Sequence, residues 1–325
     1  MTMAYEGDGI VFPDNRKQVA PALTGFRNKI IDGDFNFWFE GTSQSVNGYG
    51  SSTMWYKGVI GSTVVHSRQE FTPGQTDVPG NPTYFSRTVV SSVAGAANYI
   101  LILQRLEDVK ALAGKTMTFS FFAKADAVKS VAIDFAQMFG TGGSPTVYGI
   151  GSQKVQLSTS WNKYSVTVDL PSVSGKTIGD GNYLAARIWF DAGSDYDTYT
   201  DSLGQQSGTF DTAQVQFEEG SVATEFEHRP VWLELSLCQK YYFATDKVSL
   251  ISRAYDATQG SNITVWFPVV MRTSPTCTVS NDTGGVITSV ILSTVTNENH
   301  LTIKATRSGL ETIYGVASVT ADARL

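Results

Sequence analysis

Alternation of apolar and polar residues, repeated in one short segment after another, constrains this chain more than any other feature. Within 117–124, Phe119 and Phe121 fall on one side and Thr118 and Ser120 on the other. Across 130–138, Val131, Ile133 and Phe135 oppose Ala132, Asp134 and Ala136. In 162–169, Tyr164, Val166 and Val168 oppose Lys163, Ser165 and Thr167, and in 187–191 Ile188 and Phe190 oppose Arg187, Trp189 and Asp191. Side chains of an extended chain point alternately to opposite faces, so a period of two marks half-buried strands. Many such strands joined by Gly, Ser and Asn predict an all-β protein built as a two-sheet sandwich or jelly roll.

Composition points the same way. Charged residues make up 17% of the chain, below the usual ~25%, while 30 glycines supply turns. At ~150 residues per domain, 325 residues correspond to about two domains. Residues 1–25 are weakly patterned and read as a segment that docks on another body or stays unfolded. Asn28 to Trp38 reads as a first strand with a turn at Asp32-Gly33, and 41–52 as a loop. Leu103 to Leu112 is helix-like but too short to stand alone, and reads as a short turn between strands. Pro230 can open a helix, and Val231, Leu235, Cys238 and Tyr242 recur along one helical stripe. Strand-like segments return at 263–271, 286–295, 300–306 and 312–320.

Several function classes drop out. A net charge of −6 argues against nucleic acid, which needs clustered Lys and Arg. The longest apolar run, Tyr99 to Leu103, is far short of the ~18 residues of a membrane span, so no membrane insertion is expected. The first residues lack a basic-then-apolar signal layout. Cys238 and Cys277 read as buried small hydrophobes rather than a bridge. His66, His228 and His300 stand apart, and neither a Cys-x-x-Cys pair nor a Gly-x-Ser-x-Gly elbow occurs. Ser174-Gly175-Lys176-Thr177 and Gly114-Lys115-Thr116 mimic a phosphate loop, but Leu170 and Val109 replace its first glycine, so both read as turns. Asp191, Asp195, Asp197 and Asp201 suggest calcium, yet Tyr199 stands where a third ligand belongs, which favours a solvated loop. No catalytic residues are assigned, and the reading is of a protein that is not an enzyme.

One aromatic residue stands out. Trp189 shares a predicted face with Arg187 and Asp191, and Asp134 has the same parity on another strand. A flat ring beside hydrogen-bonding charged groups suits a sugar, whose apolar face packs on the ring. The alternative is that Trp189 covers the second sheet or packs at a subunit contact.

Two runs carry a family resemblance. The first is Asn28-Lys29-Ile30-Ile31-Asp32-Gly33-Asp34-Phe35-Asn36-Phe37-Trp38. The second extends from Ala213 through Glu219-Gly220-Ser221-Val222-Ala223-Thr224-Glu225-Phe226-Glu227-His228-Arg229-Pro230 into Leu235-Ser236-Leu237-Cys238-Gln239-Lys240-Tyr241-Tyr242. Together they resemble the distal part of phage and prophage tail-fibre proteins, over roughly residues 26–325. The resemblance implies a virion-attachment segment at 1–25, a jelly roll like a carbohydrate-binding module at 26–229, and a helix with a small β tip at 230–325. It implies a homotrimeric receptor-binding fibre, assembled in the host cytoplasm and carried on the virion by another phage protein, that engages a host cell-surface glycan. Trp266, Phe267, Val286 and Ile291 are the apolar positions that threefold closure would cover. No cofactor is implied: calcium-binding jelly-roll relatives carry an acid in the last strand, where this chain has Gln214 and Gln216, leaving only Asp34 and Asp211 as possible helpers. A head fibre or decoration protein without a receptor, and a polysaccharide-degrading tailspike enzyme, are the alternatives.

Overall fold

The structure, a computed structural model, describes residues 4–6, 9–11, 17–18, 26–253, 261–281, 289–291, 297–306 and 312–325. Three short strands come first: β1 (Ala4–Glu6), β2 (Gly9–Val11) and β3 (Lys17–Gln18), paired in that order. The central region holds β4 (Ser43–Gln44), β5 (Tyr56–Ile60), β6 (Thr63–Glu70), β7 (Tyr84–Ser91), β8 (Tyr99–Leu106), β9 (Thr116–Ala125) and β10 (Lys129–Met138). It continues with β11 (Val147–Leu157), β12 (Asn162–Asp169), β13 (Tyr183–Ala192), the single-turn α1 (Asp197–Thr200) and β14 (Gly208–Glu219). These strands form two antiparallel sheets, ordered β11-β10-β13-β8-β5 and β12-β9-β14-β7-β6-β4. Because sequence neighbours are split between the sheets, this is a jelly-roll sandwich, as the alternation predicts.

The core lies between the sheets. Phe119, Phe121, Val131, Ile133, Phe135, Val166, Val168, Ile188 and Phe190 all point into it, the residues that the alternation put on one side of each strand. Phe135 stacks on Phe217 at 4.9 Å and Phe190 packs on Phe210 at 5.2 Å, so aromatic rings from both sheets interlock.

One local expectation is corrected and another holds. Residues 28–38 do not form a strand. Asp32 and Phe35 adopt left-handed backbone (φ 55° and 58°), which ends extension, and the Asp32 carboxylate takes the N–H groups of Asn36 and Phe37 at 2.7 and 3.1 Å. The helix-like stretch 103–112 is, as expected, no helix: it is the end of β8 followed by tight turns that lead to β9. Leu106 at the strand's end and Val109 and Leu112 in the turns are all buried, which mimics a helical spacing. The apolar run at Tyr99–Leu103 belongs to a strand with both faces covered: Ile100 and Ile102 face the core, and Leu101 the opposite side.

After the sandwich come α2 (Val231–Gln239), β15 (Tyr242–Arg253), β16 (Ser261–Trp266), β17 (Thr276–Asn281), β18 (Ser289–Ile291), β19 (His300–Thr306) and β20 (Thr312–Asp322). Pro230 caps α2 as expected. The expected apolar stripe does not hold: Val231 is exposed, and Glu234 and Cys238 are the buried residues. Two three-stranded sheets, β15-β20-β17 and β16-β19-β18, build the tip around Phe267, Met271, Leu301 and Val319. Both cysteines are unpaired, Cys238 buried and Cys277 half-buried. The tip is fixed to the sandwich by Arg324, whose guanidinium lies 4.6 Å from the Tyr49 ring and 4.2 Å from the Tyr242 ring and donates to the Thr53 carbonyl at 3.3 Å.

Both runs that carry the family resemblance meet at one corner. Glu227 takes the N–H groups of Arg27 and Asn28 at 3.0 and 2.9 Å. Arg229 donates to both Glu234 oxygens at 2.9 Å and to the carbonyls of Asn28 and Ile30. Glu218 holds Thr224 through its N–H and hydroxyl at 2.8 and 2.6 Å. These residues form a structural clasp, which gives a physical reason for each of them.

Candidate functional site

The five-stranded sheet turns its second face away from the core, and that face is lined with tyrosine. Register fixes it: Tyr56, Gly58 and Ile60 on β5 lie opposite Leu103, Leu101 and Tyr99 on β8, and β8 pairs with β13 so that Leu103 and Leu101 meet Arg187 and Trp189. Across β13, Asp134 on β10 stands beside Arg187. Tyr183 joins from β13, Tyr148 from β11, and Tyr196 and Tyr199 from the turn after β13. The result is an open cleft of about 300 Å³ with small residues, Gly58, Ala136 and Ala185, in its floor. A Cβ on Gly58 would come within 3.1 Å of the Leu101 and Tyr99 side chains, so glycine lets two strands' bulky residues share that floor.

Charge in the cleft is internally balanced. Asp134 Oδ1 accepts from Arg187 Nε at 2.9 Å and from Trp189 Nε1 at 2.7 Å, while Oδ2 accepts from Arg187 Nη2. Burial pushes the Asp134 carboxyl up from its ordinary range and Arg187 pulls it back. The Arg187 guanidinium also lies 5.3 Å from the Tyr148 ring and 5.1 Å from the Trp189 ring. Tyr56 and Tyr196 hydroxyls have protein partners, Asn47 and the Ala97 carbonyl. Those of Tyr99, Tyr148, Tyr183 and Tyr199 form no hydrogen bond among the described residues. Burial pushes the Tyr99, Tyr183 and Tyr196 hydroxyls up, so these three are protonated at neutral pH. Chemically the cleft offers flat rings, hydroxyls and no net charge.

Of the four residues chosen for sugar contact, three share this face. Trp189 is only 2% exposed, because Tyr99 and Tyr196 cover it at 5.5 and 5.3 Å. It supports the platform instead of being its surface. Arg187 and Asp134 are also buried and act as the frame beneath the rings. Asp191 does not share the face. A bulge between Trp189 and Asp191 shifts the register so that Asp191 pairs with core-facing Ile100. Its carboxylate instead takes Ser62 Oγ, Ser92 Oγ and the Gln206 N–H at 2.7–2.8 Å, tying three loops together. Sequence reasoning missed the cleft tyrosines, of which Tyr148 is exposed and the others half-buried. The available signal was the parity of Tyr99 and Tyr183 with Leu101 and Arg187.

Other candidates are placed as follows. Trp266 is 68% exposed and its ring lies 4.9 Å from that of His300, whereas Phe267 is buried in the tip's own core and has no surface to offer a partner. Val286 lies outside the described residues, and Ile291 sits on β18. Among the described residues no group of three His, Cys, Asp or Glu side chains suits a metal ion. Gln214 and Gln216 are engaged with the Pro79 carbonyl and with Glu218.

No protein-family model matches the sequence, and no curated protein sequence aligns with it significantly. Solved structures of related shape include the enzymatically active domain of a tailspike protein from bacteriophage CBA120, at 12% identity and TM-score 0.34, covering 60% of this chain and 22% of that one. A family 11 carbohydrate-binding module of a cellulosomal cellulase from Clostridium thermocellum matches at 11% identity and TM-score 0.35, over 56% of this chain and 97% of the module. A cyclase from Fischerella sp. matches at 9% identity and TM-score 0.38, over 59% and 96%. This chain thus spans about a fifth of the tailspike's length. Likeness at this level describes shape and decides nothing about ligand.

Proposed function

We propose that the tyrosine cleft binds a segment of an uncharged glycan, and that the chain is a phage virion fibre protein attaching the particle to a host cell-surface glycan. The observation that carries the glycan reading is the cleft: solvent-facing tyrosine rings with unengaged hydroxyls over a neutralised Asp134–Arg187–Trp189 frame. Pyranose rings present an apolar face to stack and a rim of hydroxyls to bond, and this surface meets both. Binding without cleavage fits the same geometry. No carboxylate lines it among the described residues, and the buried Asp134 beside it has both oxygens engaged by Arg187 and Trp189, whereas glycoside hydrolysis ordinarily uses two carboxylates. The fibre role rests on the resemblance of the two clasp runs to tail-fibre proteins. In this reading residues 1–25 join another virion protein, and three copies assemble so that weak single sites act together, raising avidity by ~10²–10⁴.

The test begins with a glycan array on the full chain, followed by titration of the strongest hit. Tyr99→Ala and Tyr148→Ala are each expected to weaken that hit about tenfold with folding unchanged. An array without any hit removes the glycan reading. Failure of the soluble protein to block phage adsorption, with glycan binding intact, removes the receptor role alone.

A further inference from the structure

The other sheet bears a second depression of a different electrical character. Arg87 on β7, Asp211 on β14 and Lys124 on β9 are cross-strand neighbours in one row on its outer face. They border a cavity of about 360 Å³ that also takes in Thr159, Thr209 and Asp126. Beside the row Trp161 packs with Phe71 and Phe85 at 5.2 and 5.4 Å, and Lys124 Nζ lies 5.3 Å from the Trp161 ring.

Hydrogen-bond accounting shows what the cavity lacks. Both Asp211 oxygens are engaged, receiving Arg87 Nε and Nη2 at 2.7 and 2.8 Å, and Asp126 Oδ2 receives the Thr209 N–H at 3.0 Å. Two donors are not engaged. Lys124 Nζ stands 3.8 Å from Asp211 and makes no hydrogen bond among the described residues, and Arg87 Nη1 has none either. Two cations, Arg87 and Lys124, and two carboxylates, Asp211 and Asp126, line the cavity; Lys129 lies outside it, 3.9 Å from Asp126, with its ammonium donating to the Ser207 carbonyl at 2.7 Å. With Asp211 already paired to Arg87, the unengaged ammonium of Lys124 and Nη1 of Arg87 call for an anionic acceptor, and the adjacent indole calls for a ring carrying it.

We propose that this depression is a second binding site, for a carboxylate-bearing sugar whose acid group is taken by Lys124 and Arg87 and whose ring packs on Trp161. It stands apart from the cleft and does not depend on it: the cleft is neutral and lies on the opposite sheet.

The full chain is titrated with trigalacturonate and with N-acetylneuraminate, against neutral galactotriose and inorganic phosphate as controls. At least one acidic sugar should bind, with affinity falling about fivefold when ionic strength rises from low to physiological salt. Lys124→Gln, which removes the charge without stranding Asp211, should weaken that binding about tenfold. Trp161→Ala should weaken it about fivefold and leave phosphate binding unaltered. Equal affinity for galactotriose, equal affinity for phosphate, no effect of Lys124→Gln, or no binding of either acid overturns the proposal. So does displacement of the acidic sugar by a neutral array hit, since that places it in the cleft.

Discussion

Asp134 is fully buried and satisfied by two residues, so it is where a single substitution should do most harm. Asp134→Ala strands the buried Arg187 guanidinium and Trp189 N–H beneath the tyrosine rings. The expected loss is about 3–5 kcal/mol, read by denaturant unfolding. Asp34 behaves oppositely. Burial, then the neighbouring Glu234, pushes its carboxyl up to about 6. A carboxyl raised on folding holds its proton longer folded than unfolded, so stability from this group falls as pH rises from about 4 to about 6. Asp34→Asn should flatten that slope and raise stability at pH 7 by about 1–2 kcal/mol, checked by melts across the pH range. Residue parity made Trp189, Arg187 and Asp134 legible from the sequence. Asp191 was not, because a bulge adds one residue to a strand and leaves no mark on composition or spacing. The burial of Trp189 was equally illegible, since the rings above it come from a different strand and a loop.

Strands were the most legible elements. Asn162–Asp169 has the bounds its alternation gives, and Lys129–Met138 differs by one residue. Segments held by side chain-to-backbone bonds were the least legible, as the loop 28–38 shows: its apolar content looks like a strand, but the Asp32 carboxylate and two left-handed residues fold it back. The clasp gives this scale its prediction. Arg229→Ala leaves buried Glu234 without its cation and frees the carbonyls of Asn28 and Ile30. About 3 kcal/mol of stability should be lost, with faster hydrogen exchange at 27–33, and Arg229→Lys should recover only part because it lacks the planar fork. Gly33→Ala tests the same corner, since a Cβ there would lie 2.1 Å from the Val215 carbonyl oxygen.

For the whole molecule, the sandwich followed by a helix and a β tip was readable from the change of pattern at Pro230, where α2 begins. Which apolar positions of the tip face solvent was less readable. Phe267 and Trp266 are adjacent in an apolar run, yet one fills the tip and the other faces solvent, because neighbours on a strand's end point to opposite sides. The fibre reading expects sedimentation to show a trimer. Trp266→Ser combined with Val270→Ser, both at exposed positions, should shift it toward single subunits without unfolding.

The clasp has a mechanical consequence. Asn28 and Glu227 are 199 positions apart along the polypeptide yet share a hydrogen bond, so the sandwich hangs from the chain like a bead closed at its neck. A pull between the segments on either side of the sandwich meets that neck first, so the clasp must part before load passes into the sheets that carry the tyrosine surface.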